Sequence, residues 1–363
     1  MSRLTWLAAA ATAAVALGIG IGWMLTSREP AAPEPKFAER ELTTGTIAPR
    51  PAAMAAAQPQ AVQLQSAPPQ SFPPASTPVP PQARPAAAMP SAAPMRVAAN
   101  PKCANPDALG VARTVAIDTA GGPGFGSEQF KAYDFLEAGE VVLTFDDGPW
   151  PNNTPAVLAA LAAQCVKATF FPIGKHSTWH PEILKQVVAR DHTIGAHTWS
   201  HVNLAKKTMA EAKDEIENGF SAVAISAGRP PAPFFRFPGL SQTPELTAYL
   251  AQRNIGIFSA DLDSFDFKLK NPDKVITSVM SKLDKRGKGI ILMHDFQHST
   301  AVALPTLLQQ LKAKGFKVVH MKAKDSVTTL PQYDAAMVKI LAGQTADARP
   351  TASVVRTIAG PVN

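Results

Sequence analysis

From about residue 141 to residue 320 the chain alternates between short apolar runs and longer stretches with helical spacing. The runs are 141–145 (VVLTF), 168–173 (ATFFPI), 193–196 (TIGA), 234–237 (FFRF), 256–260 (GIFSA), 289–293 (GIILM) and 317–320 (KVVH). They are rich in β-branched and aromatic residues and short enough for strands buried in a parallel sheet. The intervening patterns predict helices at 154–164, 181–190, 209–227, 243–253, 272–285 and 301–314. The first opens on Thr154 as a candidate N-cap, with Pro155 in the first helical position. Gly315 stands where the last would terminate. Strands and helices in such alternation predict an α/β fold, as an open sheet or a closed barrel.

The polar residues favour the barrel. VVLTF runs into Asp146, Asp147, Gly148 and Pro149; TIGA runs into His197; FFRF carries Arg236 and runs into Pro238 and Gly239. GIFSA runs into Asp261, and GIILM into His294 and Asp295. Barrel active sites are assembled at the C-terminal ends of the strands, which is where these residues cluster. The expectation is a distorted (β/α)7-8 barrel.

Composition divides the remainder of the chain. Residues 4–27 carry no charge and lie between Arg3 and Arg28. That length suits a membrane-spanning helix better than the h-region of a cleaved signal, so residues 1–28 are expected to be an anchor. Sixteen of the 34 prolines fall within 30–100, among Ala, Gln and Ser, so 29–100 is expected to be a disordered Pro/Ala-rich linker. The folded domain is expected over 101–330, followed by a flexible tail over 331–363. An anchored chain would place its domain outside the cytoplasm, in the periplasm; secretion after signal cleavage is the alternative. Cys103 and Cys165 are the only cysteines, and a disulfide between them would suit such an oxidising compartment. The net charge of +7 suits an anionic envelope or polymer. No nucleic-acid partner is expected, and nothing indicates an oligomeric state.

Two features carry chemistry. His197 and His201 are four apart; on a helical turn they would share a face and present two imidazoles to one ion. A catalytic zinc usually takes three protein ligands, and no glutamate lies between these histidines to act as base, so a further ligand and a base must come from elsewhere. The other reading of the pair is two satisfied polar residues. Asp146 and Asp147 supply candidates: a DDGP sequence is compatible with a solvated turn, but two carboxylates closing a buried strand are costly unless paired or metal-bound. Adjacent strand side chains point to opposite sides, so one carboxylate can bind metal while the other takes a proton.

At this point the residues resemble a family. TFDDGP at 144–149, HTWSH at 197–201, RFPG at 236–239, DF at 266–267 and LMH at 292–294 resemble, in order, the five motifs of the polysaccharide deacetylases. These are metal-dependent enzymes that remove N-acetyl groups from chitin-type oligosaccharides, peptidoglycan and related glycans. The resemblance covers roughly 138–322. It implies Asp147, His197 and His201 as ligands of a metal, typically Zn2+, with another divalent ion such as Co2+ as alternative. It further implies Asp146 as general base held by Arg236, and His294 as general acid oriented by Asp266. A backbone N–H near Gly239 would stabilise the oxyanion, and Leu292 would line the acetyl pocket. Asp261 and Asp263 are alternative partners for His294. The chain departs from the family pattern at Gly239, where a tyrosine is usual and a glycine follows in place of Leu240, and at Phe267, where a tryptophan is usual.

The implied substrate is a glycan polymer or oligosaccharide. O-deacetylation of an acylated glycan, a catalytically silent glycan-binding module and a structural envelope tether are the alternatives. His176, His180 and His192 are expected on loops or helix surfaces, and His298 at the solvated start of a helix. Trp150 and Trp199 flank ligand motifs, where they would either stack on a sugar or pack in the core.

Overall fold

A computed structural model describes residues 103–131, 133–344 and 349–355. The strands are β1 (Arg113–Ile117), β2 (Gly124–Phe125), β3 (Glu140–Asp146), β4 (Thr169–Phe171), β5 (Thr193–Ile194), β6 (Phe234–Phe235), β7 (Gly256–Phe258), β8 (Leu262–Asp263), β9 (Gly289–His294) and β10 (Lys317–Ala323). The helices are α1 (Asn153–Ala163), α2 (Gly174–Trp179), α3 (Pro181–Ala189), α4 (Met209–Ala227), α5 (Pro244–Gln252), α6 (Pro272–Arg286), α7 (His298–Ala313) and α8 (Pro331–Ala342).

Strand β3 is buried at every position and organises the rest. Along one edge it pairs with β9, in register from Val141↔Gly289 to Asp146↔His294. Its other partners are β10 at its start and β4 at its end. β4 continues to β5, and a single bridge from Ala196 to Phe235 leads on to β6. β6 pairs with β7, the chain runs on through 259–261 into β8, and β8 pairs with β9. The pairings therefore return to β3, and every one is parallel. This is a barrel, distorted by the lone bridge between β5 and β6 and by the division of one strand position into β7 and β8. β1 lies beside β10, and β2 beside β7.

Strand alternation decides what enters the barrel. Val141, Leu143 and Phe145 of β3 join Ile291 and Met293 of β9 in an outer core with Leu161, Val187, Leu283 and Leu307 from the surrounding helices. Val142 and Ile290 join the inner cluster with Phe171, Phe234 and Phe258. The inner face of β3 thus reads Val142, Thr144, Asp146, and that of β9 reads Ile290, Leu292, His294. Each turns polar towards the same C-terminal end.

Several expectations are corrected. Thr154 is not a helix cap: α1 begins at Asn153, and the Thr154 hydroxyl accepts from the Trp150 N–H at 2.8 Å and donates to Asp295 at 2.5 Å. Strands β2 and β8 have two residues each, too few for a period to register, and β1 and the one-and-a-half-turn α2 were likewise not anticipated. Residues 331–363 are not wholly a loose tail. α8 starts with Pro331 in its first turn, buries Met337 and bonds Tyr333 to Asp214 of α4 at 2.6 Å. Its Ala content also favours helix. The expected anchor (1–28) and linker (29–100) lie outside the described residues; among those described, no helix is long and apolar enough to cross a membrane.

Cys103 and Cys165 form a disulfide across a sequence separation of 62, tying the start of the described chain to the turn after α1. Closing a loop of that length in the unfolded chain is worth ~4 kcal/mol by chain entropy. Denaturant unfolding of a Cys103→Ala/Cys165→Ala double variant is expected to show a loss of about 2–4 kcal/mol.

Candidate active site

The site forms where β3 ends. Asp146 is its last residue and points inward. Asp147 does not continue the alternation: it adopts φ 72°, which turns the chain and brings the second carboxylate to the same side as the first. A left-handed conformation costs an L-residue ~1–2 kcal/mol, so it must be held. The Asp147 N–H donates to the Phe171 carbonyl at 3.2 Å, and its own carbonyl accepts from His176 Nδ1 at 2.5 Å. The Gly148 N–H donates to Asp295 Oδ1 at 3.1 Å, and the Ile173 N–H donates to the Gly148 carbonyl at 3.0 Å. A Cβ on Gly148 would fall 2.1 Å from the Asp295 carboxylate, so only glycine fits. Burial pushes the Asp295 carboxyl up to about 7. In the sequence Asp295 was noted among the polar residues at strand ends but given no role.

His197 and His201 do not lie on a helical turn. They flank a loop in which Thr198 has φ 63° and His201 φ 58°. The loop is fastened to α4: the Trp199 N–H donates to the Glu215 carbonyl at 2.8 Å, and Ser200 donates twice to the Glu215 carboxylate, from its N–H at 2.8 Å and its hydroxyl at 2.6 Å. Gly219 permits the approach, since a Cβ there would lie 2.7 Å from the Thr198 carbonyl carbon. Neither Glu215 nor Gly219 has a local signal that marks it in sequence.

Asp147, His197 and His201 each offer one ligand atom, all within 4.8 Å of one another. Their chemistry suits a divalent metal. His197 Nδ1 lies 2.7 Å from the Arg236 carbonyl, which only accepts, so the ring proton is on Nδ1 and Nε2 is free. Burial lowers the His197 pKa to about 4, which keeps the ring neutral near pH 7. Asp147 Oδ1 is buried with no hydrogen-bond partner, 3.5 Å from His197 Nε2 and 3.3 Å from His201 Nε2. Burial opposes its ionisation, but His201, His294 and His197 outweigh this and hold it below the usual carboxylate range. A buried carboxylate oxygen without a donor is costly unless a cation completes it. Three protein ligands with a further position open are the pattern of a catalytic metal site.

Two charge pairs flank this set. Arg236, wholly buried, donates from one terminal nitrogen to Asp146 Oδ1 at 2.7 Å and to Thr144 Oγ1 at 2.8 Å. Its other nitrogens donate to the Phe258 and Ser259 carbonyls at 3.1 and 2.9 Å, and its guanidinium lies 4.4 Å from the centre of the Phe171 ring. Asp146 Oδ2, the oxygen not bonded to Arg236, is 4.0 Å from His197 Nε2. On the far side, His294 Nδ1 donates to Asp266 Oδ1 at 2.6 Å and the His294 N–H to Oδ2 at 2.7 Å, with the Thr300 hydroxyl also on Oδ2. Of the three aspartates weighed as partners, Asp261 instead binds Ser127 and the Ile290 N–H, and Asp263 the Phe265 N–H. His294 Nε2 is 3.9 Å from Asp147 Oδ2. Burial pulls the His294 pKa down, but Asp266, then Asp147 and Asp146, outweigh it and push it up to about 10.

Leu292 is buried two residues before His294 on the same face of β9. Gly239 lies in the tight turn after Arg236 at φ 59°, and Leu240, where the family pattern has glycine, is forced to φ 54°. The Phe267 ring stands edge-on to His294 with centroids 5.6 Å apart. His176, His180 and His192 are all buried, contrary to the surface positions expected; the first two pack against Trp150, with centroids 5.0 and 5.4 Å apart, and His192 against Phe170. His298 is exposed at the start of α7, as expected.

A sequence model of polysaccharide deacetylases matches residues 136–257. The chitooligosaccharide deacetylase of Bradyrhizobium sp. (strain ANU 289) is 30% identical over 192 residues, covering 49% of this chain and 87% of that protein. The chain belongs to the polysaccharide deacetylase family. Another member, the peptidoglycan-N-acetylglucosamine deacetylase PgdA of Listeria monocytogenes, is 32% identical over 182 residues, and the chain covers 37% of that protein's length. The solved structure of the Bdellovibrio bacteriovorus peptidoglycan deacetylase Bd3279 matches with TM-score 0.54 and 33% identity over 59% of each chain. Three of the family's motifs fall inside the matched stretch; Asp266, Leu292 and His294 lie beyond it, and the barrel brings two of these, Asp266 and His294, into the charge pairs described above.

Two outcomes are expected. Arg236→Met leaves the Asp146 carboxylate buried and unpaired and should cost about 3–5 kcal/mol in denaturant unfolding. In the metal-free protein, the His294–Asp266 pair should contribute fully below the unfolded-state His pKa of about 6.5 and fade as pH rises through the folded value. The stability gap between wild type and His294→Gln should therefore be larger at pH 6 than at pH 10.5.

Proposed function

We propose that the chain is a zinc-dependent hydrolase that removes N-acetyl groups from amino sugars of a peptidoglycan- or chitin-like glycan, releasing acetate. The observation that carries this is the convergence of Asp147, His197 and His201 as a ligand set with a free carboxylate oxygen on Asp146 and a histidine, His294, bonded to Asp266. The names of the relatives, which act on peptidoglycan and chitooligosaccharides, support the substrate class. Asp147, His197 and His201 would hold the ion. Zinc so held supplies Lewis acidity towards a carbonyl oxygen and towards water.

This chain's residues do the rest. The free oxygen of Asp146 takes the proton of a water attacking the acetamide carbonyl carbon. Arg236 holds that carboxylate in place through its other oxygen. The Gly239 turn offers a backbone N–H, that of Gly239, to the developing oxyanion. His294, kept protonated by Asp266, gives a proton from Nε2 to the departing nitrogen as the C–N bond breaks. The water adds to the acetyl group, and the products are acetate and a free amino sugar. Leu292 forms an apolar contact for the methyl group. An extracytoplasmic location belongs to the proposal, supported by the disulfide and by the uncharged stretch at 4–27.

The test is acetate release by the full-length chain from chitin oligomers and peptidoglycan fragments, with an O-acetylated glycan as control, after chelation and again after zinc is restored. Zinc-restored acetate from an N-acetyl substrate is expected. Asp146→Asn should lower the rate by about 10²–10⁴-fold while zinc binding and fold persist. Acetate only from the O-acetylated glycan, or rates indifferent to Asp146→Asn, would refute the proposal.

A further inference from the structure

Behind the ligand Asp147 lies a contact that the chemistry above does not use. His176 is wholly buried on α2, its ring packed between Trp150 and Trp179 at centroid distances of 5.0 and 5.3 Å. Nδ1 faces the Asp147 carbonyl at 2.5 Å. Nε2 faces the C-terminal segment: the Val354 N–H donates to it at 3.2 Å, and the Ser353 hydroxyl lies at the same distance. A backbone N–H only donates and a carbonyl only accepts, so the two ends of the ring fix one tautomer, with the proton on Nδ1 and the lone pair on Nε2.

The segment is tied down nearby. Arg349 pairs with Glu182 of α3 at 3.0 Å, and the Val355 N–H donates to Ser353 Oγ at 2.9 Å. It lies far outside the stretch matched by the family model.

We propose that residues 349–355 are a positioning element of the metal site: the Val354 N–H sets the tautomer of His176, and the Nδ1–H so produced holds the Asp147 carbonyl and with it the left-handed turn that aims the Asp147 carboxylate at His197 and His201. The proposal rests on the metal-site assignment. Without the segment, Nε2 can take the proton instead. An Nδ1 lone pair would then face the carbonyl lone pairs, and the turn would lose one of the four bonds that hold it. The segment thereby reaches a ligand that lies more than two hundred residues earlier in the chain without touching the reacting groups.

The test is a double-mutant cycle in the full-length chain, read as zinc affinity by competition with a chromophoric chelator, with thermal melts of the metal-free forms as a check on folding. Val354→Pro removes the N–H. His176→Asn keeps a donor near the Nδ1 position but has no atom at Nε2, so its orientation cannot depend on Val354. Val354→Pro is expected to weaken zinc binding by ~10-fold or more in the wild-type background and to have no effect in the His176→Asn background. If Val354→Pro does not fold, truncation after Gln344 is expected to show the same pattern. Equal losses in both backgrounds would mean that the segment only packs, and unchanged affinity in both would mean that it is irrelevant to the site; either overturns the proposal. A wild-type chain that binds no zinc would overturn the metal-site assignment itself.

Discussion

A guanidinium with no solvent exposure is the constraint around which this molecule is arranged. Arg236 lies inside the barrel, where an unpaired charge is not tolerated. Every element that satisfies it is thereby placed. By hydrogen bonding the barrel divides into a seven-stranded sheet that contains β3 and a three-stranded one of β2, β7 and β6; Thr144 and Asp146 come from β3, and the Phe258 and Ser259 carbonyls from β7 and the residue after it. The side chain therefore joins the two sheets where ladder pairing is thinnest, close to the single bridge between Ala196 and Phe235. Its carbonyl accepts from His197, so the same residue orients the candidate base through its side chain and one candidate ligand through its backbone.

The charges at the barrel mouth can be assigned in pairs. Asp146 is balanced by Arg236, and Asp266 by a protonated His294. Asp147 is left with a neutral His197, with His201, and with a buried oxygen that accepts no hydrogen bond. A buried carboxylate in that condition calls for a cation, and the nitrogen and oxygen donors around it suit a borderline metal such as zinc. The environment also separates the two acid–base candidates: Asp146 retains an uncommitted oxygen, while the carboxylate behind His294 raises its affinity for a proton. A carboxylate with a free acceptor oxygen and a histidine backed by a second carboxylate are suited to remove and donate protons in a single reaction.

Much of this was legible in the sequence because the signals were local. The largely apolar VVLTF and GIILM runs became the paired central strands, and polar residues at strand ends marked the mouth of the barrel where the candidate site lies. The interval 209–227 became α4 at the same bounds, helped by a Thr208–Glu211 capping box. What failed to show depends on contacts between distant segments. The geometry of HTWSH is set by Glu215 and Gly219 on α4, so four-residue spacing suggested a helical turn where the chain forms a loop. Asp147 was expected to alternate with Asp146, but anchors on β4, on α2 and directly after β9 turn it to the same side. His176, His180 and His192 are polar in sequence yet buried in the fold. Residues 331–363 read as loose from composition, although α8 packs on α4 and Val354 reaches His176.

The central claim is that Asp147, His197 and His201 form the metal centre and that the surrounding charge pairs are organised about it. Anomalous diffraction at the zinc edge from crystals of the zinc-loaded protein tests this directly. The account predicts one strong peak bounded by Asp147, His197 Nε2 and His201, with Asp146 bonded to Arg236 and His294 to Asp266. Absence of a peak at that point in a protein that binds zinc, or a peak held instead by other side chains such as His176 and His180, would contradict it.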